Sequence, residues 1–230
     1  MKNRGISQEM LKLIACVTML LDHIGATLVP GWTLRIIGRI AFPIYCFLLV
    51  EGAHYTRNPK KYALRLAIGA VLSEFPFDLA FFGGWTWGYQ SVMLTMLVGF
   101  FALQAMGKCS NYLLKCLVVL PFALLAEWLL TDYGGAGVLL IALFGISREL
   151  PHRLLIQLLG MALICNYLIP GAKIPIGGFR IAIELFALIA LIPIAFYSGR
   201  KITGSKAVQW GFYLFYPVHL TVLYLIELFR

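Results

Sequence analysis

Residues 10–29 read MLKLIACVTMLLDHIGATLV, an almost unbroken apolar run. About 20 apolar residues is the length of an α-helix that crosses a bilayer. Asp22 and His23 interrupt the run as adjacent residues in its second half. Hydrocarbon penalises ionisable side chains, which are retained where they pair with one another or line a wet cavity. The stretch therefore predicts a transmembrane helix that carries an acid and a histidine for a specific reason.

The composition extends this prediction to the whole chain. Hydrophobic residues make up 61% and charged residues 13% of the 230 residues, and the mean hydropathy is +0.86. A soluble domain has roughly a quarter charged residues, so we expect an integral membrane protein. The formal net charge of +9 comes from cations in short loops between apolar runs. This placement favours contact with anionic lipid and indicates the bilayer, not nucleic acid, as a partner.

The apolar runs predict an all-α, polytopic helix bundle of about nine transmembrane helices, forming one domain over residues 1–230. The sixth run, GGAGVLLIALFGI, is short and rich in glycine, which is typical of a helix that is tilted or packed against neighbours. The predicted spans are 10–29, 33–53, 61–82, 90–107, 112–131, 135–147, 153–169, 180–198 and 208–228.

Loop charges predict the orientation of the bundle. Cations concentrate on the cytoplasmic side of membrane proteins, and here they occupy the chain start and alternate loops. The other loops, GGWTWGYQ, TDYGG and IPGAKIPIGG, contain Lys173 as their one cation. We therefore expect a cytoplasmic N-terminus and an external C-terminus. The inner cations are Lys2, Arg4, Lys12, Arg57, Lys60, Lys61, Arg65, Lys108, Lys115, Arg148, Arg153, Arg200, Lys201 and Lys206.

Six ionisable residues fall at similar depth near the outer side of the first three predicted helices, and Gln90 opens the fourth on the same side. Two arginines facing three carboxylates and a histidine is a composition typical of a polar cavity. A buried ion-pair network that joins the helices is the alternative, and Arg35 could also reach the surface by snorkelling. The six are Asp22, His23, Arg35, Arg39, Glu74 and Asp78.

Helix geometry separates the roles of Asp22 and His23. Adjacent helical side chains diverge by about 100°, so Asp22 need not contact His23 and can pair with Arg39. An imidazole with its ordinary pKa of about 6.5 is a natural proton acceptor. His23 is therefore the first candidate for a general base.

Glu51 and His54 lie at the inner end of the second predicted helix, next to the basic loop that contains Lys60 and Lys61. This end could admit a phosphorylated donor from the cytosol. An interfacial position for the first two residues and a positive-inside role for the loop are the alternatives.

His219 lies in the middle of the last predicted span, within YLFYPVHL. A membrane-embedded histidine is a functional candidate, although Tyr213 and Tyr216 could also satisfy it as a structural residue. Glu184 lies four residues after Arg180, which predicts a simple ion pair. The sequence contains no H-E-x-x-H motif and no paired cysteines, so we expect no metal.

Three functions fit this set of residues. In an acyltransferase, His23 deprotonates an acceptor, Arg39 stabilises developing negative charge, and Asp22, Glu74 and Asp78 orient these groups. A proton-coupled transporter or flippase could use the same charges as a relay, and a scaffold would use them only to hold helices together. The charges concentrate in the first third of the chain and are not mirrored in two halves, which favours an enzyme over a transporter.

Three segments carry a resemblance to the TraX family. They are LKLIACVTMLLDHIGATL, LRIIGRIAFPIYCFLLVEGAHYTRNPKKYALRL and SEFPFDLAFFG, in which LDHIG, GRIAFPI and SE-x-P-FD follow in the expected order. The resemblance runs along the chain and is strongest over residues 10–95. Its type member is an inner-membrane protein that N-acetylates the amino terminus of conjugative pilin. The family is also similar to a larger group of integral-membrane acyltransferases that acylate surface polysaccharides.

The resemblance implies acetyl transfer from acetyl-CoA to an amine or hydroxyl at the outer face of the bacterial inner membrane. The acceptor would be a pilin N-terminus or an envelope glycan. The wider group carries a histidine in its first helix, arginines in its second and a late histidine. Matching or neighbouring residues here, His23, Arg35, Arg39, Tyr45 and His219, are expected to contact substrate or donor.

Overall fold

The computed structural model describes residues 5–230, without the side chains of Ile176 and Lys206; Lys2 and Arg4 lie outside the described residues. Helices dominate. They are α1 Gln8–Thr27, α2 Trp32–Gly38, α3 Ala41–Tyr55, α4 Pro59–Phe82, α5 Val92–Met106, α6 Tyr112–Trp128, α7 Gly134–Ser147, α8 Arg153–Leu163, α9 Leu191–Ala195 and α10 Lys206–Leu228. A π-helical turn, Ile164–Leu168, extends α8, and a 3-10 helix, Ile183–Ala190, precedes α9.

Polar residues determine where several helices begin. The hydroxyl of Ser7 accepts a hydrogen bond from the backbone N–H of Met10 at the start of α1, at 3.2 Å. Asn58 caps α4 in the same way, with Pro59 in the first position of the helix, and Asn111 caps α6. Such caps satisfy N–H groups that have no partner within the helix. The apolar runs therefore become helices at positions close to those predicted.

α3 lies in the centre of the bundle. It is buried continuously from Ala41 to Ile44 and from Cys46 to Glu51, and it packs against α1, α5 and α7. α10 packs against α4 and α1, so the last helix is in contact with the first. This arrangement brings the N-terminal and C-terminal thirds of the chain together around one interior.

The membrane prediction is confirmed at the level of class. Among residues 5–230, three helical stretches are long and apolar enough to cross a bilayer: Gln8–Thr27, Trp32–Tyr55 and Ala207–Leu228. Four shorter apolar helical segments accompany them: Val92–Met106, Gly134–Ser147, Arg153–Leu168 and Ile183–Ala195. The chain is therefore a membrane protein, and the number of nine crossings stays a prediction.

The all-α prediction needs one correction. The loop before the eighth predicted span forms an antiparallel hairpin, β1 Lys173–Ile176 with β2 Phe179–Ala182, and the span at 180–198 begins in β2 and continues as a 3-10 helix. The second predicted span, 33–53, agrees with the helical stretch Trp32–Tyr55. Within it, the regular hydrogen bonding is interrupted at Arg39 and Ile40, which separates α2 from α3. Helices nonetheless account for 73% of the structure.

Candidate functional site

A cavity of about 450 Å³ lies among α1, α3, α4 and α10. On α4 its lining residues extend from Tyr62 to Phe82, a separation that corresponds to about 30 Å of helix. This length is close to the thickness of a bilayer's hydrocarbon core, also about 30 Å. On α1 the lining runs from Gln8 to His23. The cavity thus follows the helices through most of the depth of the bundle.

Asp22 and the two arginines form a buried ion-pair cluster at the predicted outer end of this cavity. Nη2 of Arg39 lies 2.6 Å from each carboxylate oxygen of Asp22, and Nη1 of Arg35 lies 2.7 Å from Oδ2. The predicted pairing of Asp22 with Arg39 is confirmed. Charge-assisted hydrogen bonds of this length are the strong ones in protein interiors.

Glu184 completes the cluster. Its membership was not predicted from the sequence. Its Oε1 lies 2.8 Å from Nη1 of Arg39. The predicted ion pair between Glu184 and Arg180 is wrong because Arg180 belongs to β2 and Glu184 to the following 3-10 helix. Helical i, i+4 spacing therefore does not apply. Two cations and two carboxylates give the cluster of Asp22, Arg35, Arg39 and Glu184 no net formal charge.

Gly38 allows α2 to approach α1 at this cluster. A Cβ atom at Gly38 would overlap the side chain of Asp22. The regular hydrogen bonding of α2 ends directly afterwards and α3 starts at Ala41, while the backbone of Arg39 and Ile40 keeps right-handed helical dihedral angles. This close approach and turn let Arg35 and Arg39 reach the same carboxylate from two sides.

His23 and His219 form a hydrogen-bonded pair across α1 and α10. Nδ1 of His23 lies 2.7 Å from Nε2 of His219, and Nδ1 of His219 lies 2.7 Å from the carbonyl oxygen of Phe215. The two rings are nearly parallel, at 13°. The alternative in which Tyr213 and Tyr216 satisfy His219 is therefore wrong. His23 lines the cavity.

Asp132 is a cavity residue that the sequence analysis missed. It lies in the loop between α6 and α7, and its Oδ1 accepts a hydrogen bond from the hydroxyl of Tyr89 at 2.9 Å. Its backbone N–H donates to the carbonyl oxygen of Gln90 at 2.8 Å, and its carbonyl oxygen accepts from the hydroxyl of Thr95. Burial raises the pKa of Asp132 to about 6. Its membership of the outer loop TDYGG was the available signal.

The next residue, Tyr133, ties this loop to the ion-pair cluster. Its ring stacks on that of Phe42 with the centroids 3.8 Å apart, and its hydroxyl lies 3.4 Å from Nη1 of Arg39. Its φ of +64° is uncommon for a residue other than glycine. Such strain persists where the surrounding contacts hold it in place.

Glu74, Asp78 and Gln90 occupy a different place from the predicted one. The carboxylate of Glu74 accepts from the backbone N–H of Ser91 at 3.1 and 3.2 Å, and Oδ2 of Asp78 accepts from that of Thr86 at 3.1 Å. Gln90 donates to a backbone carbonyl in the same connection. In the described part of the chain, these three residues hold the α4–α5 connection and do not line the cavity.

At the predicted inner end of the cavity, the lining residues also differ from those predicted from the sequence. Glu51 forms an ion pair with Arg148 at 2.8 Å. His54, Lys60 and Lys61 are exposed, and none of them is among the described residues that line the cavity. Its inner lining includes instead Gln8, Lys12, Gly52, Tyr62 and Gln209. Tyr45, a predicted binding residue, does line the cavity, and its hydroxyl lies 3.2 Å from Sγ of Cys16.

Membrane helices around an internal cavity, with a buried ion-pair cluster and two bonded histidines at one end, define an integral membrane protein with an interior polar site. The chain belongs to the TraX family. The model of this family, described as TraX protein, matches residues 7–227. The resemblance proposed from the sequence motifs is thereby confirmed.

Two curated proteins are similar to the chain. A probable fimbrial assembly protein FimC, serogroup H1, of Dichelobacter nodosus is 29% identical, and the alignment covers 96% of each chain. An uncharacterized protein of Rickettsia prowazekii (strain Madrid E) is 28% identical over 64% of this chain and 58% of its own length. No solved structure matches the chain.

Proposed function

We propose that this protein is an integral-membrane acetyltransferase that transfers the acetyl group of acetyl-CoA to an acceptor at the outer face of the bacterial inner membrane. One observation carries the proposal. The cavity joins Lys12 near the start of α1 to His23 and the ion-pair cluster. A cytosolic donor and an external acceptor can therefore meet without either crossing the bilayer.

The donor enters from the end of the bundle that contains the start of α1, which the loop charges assign to the cytoplasm. Lys12 and Gln8 offer a cation and hydrogen-bond donors to the phosphates of CoA. The pantetheine arm is narrow and flexible, and the apolar lining past Leu48 and Leu49 suits it. Its thioester then lies near His23.

His23 takes the proton from the acceptor as its nitrogen or oxygen attacks the thioester carbonyl. The new bond forms to the acetyl carbon, the carbon–sulfur bond breaks, and the thiolate of CoA leaves and is protonated. His23 supplies general-base catalysis, which typically contributes 10²–10⁴-fold.

Arg35 is better placed than Arg39 to stabilise the oxyanion. The Arg35 side chain is 31% exposed and forms one ion pair, whereas that of Arg39 is 7% exposed and bonds two carboxylates. Arg39 therefore holds the cluster together, while Arg35 keeps N–H groups for the acetyl oxygen.

Asp132 favours an amine acceptor over a hydroxyl. The arginines form their ion pairs with Asp22 and Glu184, and among residues 5–230 no cation forms an ion pair with Asp132, whose carboxylate instead accepts from Tyr89. An alkylammonium group supplies the missing charge on binding. It releases one proton to water to become the free amine before its nitrogen attacks, and His23 takes the second proton during the attack. The similarity to a probable fimbrial assembly protein supports a pilin-like protein amine as this acceptor. An envelope glycan is the second acceptor class.

The test is acetyl transfer by protein reconstituted in liposomes. Radiolabelled acetyl-CoA is supplied on the side that the cytoplasmic face of the protein contacts, and a peptide amine is supplied on the other side as acceptor. We expect His23→Ala to lower transfer by about 10²–10⁴-fold while it inserts normally. His152→Gln is the matched control because His152 is exposed in a loop. Wild-type transfer by His23→Ala would exclude His23 as the base.

A proton-coupled transporter or flippase is the second candidate, favoured by the same cavity length and its ionisable lining. The reconstituted protein separates the two functions. A transporter consumes no thioester, so free CoA thiol accumulates only if the acetyltransferase proposal is correct. A thiol-reactive dye measures this release directly.

A further inference from the structure

The hydrogen bonds of the two histidines form a chain that ends at a backbone carbonyl. A carbonyl oxygen only accepts hydrogen bonds. Nδ1 of His219, which lies 2.7 Å from the oxygen of Phe215, must therefore carry a hydrogen. In a neutral imidazole the other nitrogen is then an acceptor, and this fixes Nε2 of His219 as an acceptor.

The same reasoning passes to His23. Its Nδ1 lies 2.7 Å from Nε2 of His219, so Nδ1 of His23 carries the shared hydrogen in the neutral pair. Its Nε2 then keeps a free lone pair. We propose that His219 is a positioning residue, which fixes the tautomer of His23 so that Nε2, not Nδ1, is the basic nitrogen.

This tautomer matters because only one nitrogen of His23 remains free to meet an acceptor. Nδ1 is occupied by the bond across to α10, while the cavity is the open space beside the ring. When Nε2 takes the proton of the acceptor, the imidazolium keeps its Nδ1–H bond to His219. The proton later moves to the thiolate of CoA, so the pair returns to its starting state. This catalytic meaning rests on the proposed function, whereas the tautomer itself does not.

Tautomers are measured by ¹⁵N NMR of protein labelled only at histidine, in lipid nanodiscs. The chain has four histidines, so the spectrum is small. Signals of His23 and His219 are assigned by their loss in His23→Gln and His219→Gln. We expect His23 to be protonated at Nδ1 in the wild type and to move towards the Nε2–H form in His219→Leu. His219→Gln keeps a side-chain acceptor and should preserve Nδ1–H.

Activity supplies the second readout. We expect His219→Leu to lower kcat about 10–100-fold, the range found when a metal-ligating histidine loses the group that orients it, with KM for acetyl-CoA unchanged. His219→Gln should recover part of the loss, which a purely structural role of the imidazole would not give. His152→Gln should change neither readout.

The outcomes separate the two proposals. The inference fails if His23 carries its hydrogen on Nε2 in the wild type, or if His219→Leu leaves the tautomer of His23 unchanged. If the expected tautomers are found and the wild type transfers no acetyl group, the proposed function is overturned while His219 is still shown to fix the ring of His23.

Discussion

Arg39 shows why the residue types at this site are specific. It bonds both oxygens of Asp22 through one nitrogen and Glu184 through another, and its side chain is almost fully buried. A guanidinium can make such divergent contacts in a fixed plane, whereas an ammonium is a single point charge. A buried carboxylate that loses its partner is strongly destabilising, at about 3–5 kcal/mol.

Arg39→Lys should therefore impair both stability and transfer. The lysine cannot reach Asp22 and Glu184 together, so either Glu184 is left unpaired or Asp22 keeps only its ion pair with Arg35. We expect a lower melting temperature in detergent and at least a tenfold loss of acetyl transfer, since one broken contact of about 1.4 kcal/mol already gives that factor. Arg180→Lys is the control because Arg180, in β2, is exposed. Normal melting of Arg39→Lys would leave Arg39 with a charge role alone.

Asp132 gives the site a pH dependence. Its folded-state pKa of about 6 is above the ordinary value of 3.8, so the folded protein binds this proton more tightly than the unfolded chain does. Its contribution to stability is therefore most favourable below pH 4 and declines as pH rises through about 6. The carboxylate that would hold an ammonium forms over the same interval.

We expect KM for an amine acceptor to rise as pH falls below about 6, because protonated Asp132 no longer attracts the ammonium. Asp132→Asn should have the high KM at every pH and lose this dependence. Initial rates between pH 5 and 8 measure the effect, and KM for acetyl-CoA serves as the internal control. An unchanged profile in Asp132→Asn would assign the dependence to another group.

At the scale of the elements, the apolar runs were sufficient to place most helices, because length and hydropathy determine what crosses a membrane. The division of the second span was not predictable in this way. The interruption follows Gly38, where α2 comes so close to α1 that a Cβ atom would overlap Asp22, and hydropathy does not report such a tertiary contact. The hairpin of β1 and β2 replaced a predicted loop and span start for a similar reason. Its short strands are stabilised by pairing with each other, which hydropathy does not report.

Gly38→Leu tests the α1–α2 contact. Its side chain would overlap Asp22 and push Arg35 and Arg39 away from their shared carboxylate. Overpacking of this kind costs typically 1–3 kcal/mol, and we expect lower thermal stability with loss of transfer. Gly211→Ala is the matched control because a Cβ atom there meets nothing within 4 Å. Equal melting temperatures for the two variants would show that α2 does not depend on this contact.

At the scale of the whole molecule, the sequence predicted that the ionisable residues of the first two spans lie at a similar depth. It did not predict which carboxylates pair with the arginines. The loop charges placed Asp22, His23 and both arginines at one level, and the structure does join Asp22 to the arginines. Which carboxylates form ion pairs with the arginines depends on packing across the bundle. Glu184, distant in sequence, bonds Arg39, whereas Glu74 and Asp78 bond backbone N–H groups of the α4–α5 connection. Asp132 was missed because a loop acid gives no hydropathy signal.

The cavity through the bundle makes a prediction about donor entry that no single residue makes. Gln209 lines its inner end on α10 and is exposed, so a larger side chain there can be accommodated without disturbing the core. Gln209→Trp should narrow the entrance and raise KM for acetyl-CoA about tenfold, or ~1.4 kcal/mol of binding free energy. KM for the acceptor should stay unchanged, because the acceptor arrives from the other end.

Val208→Trp is the matched control, since Val208 is the neighbouring residue, is 41% exposed and lies outside the cavity lining. It adds the same indole to α10 without narrowing the entrance, so both KM values should equal those of the wild type. Steady-state rates in nanodiscs, where both faces are open, measure all three proteins under the same conditions. If Gln209→Trp instead raised KM for the acceptor and left that for acetyl-CoA unchanged, the donor and acceptor ends of the cavity would be reversed, and the predicted cytoplasmic N-terminus with them.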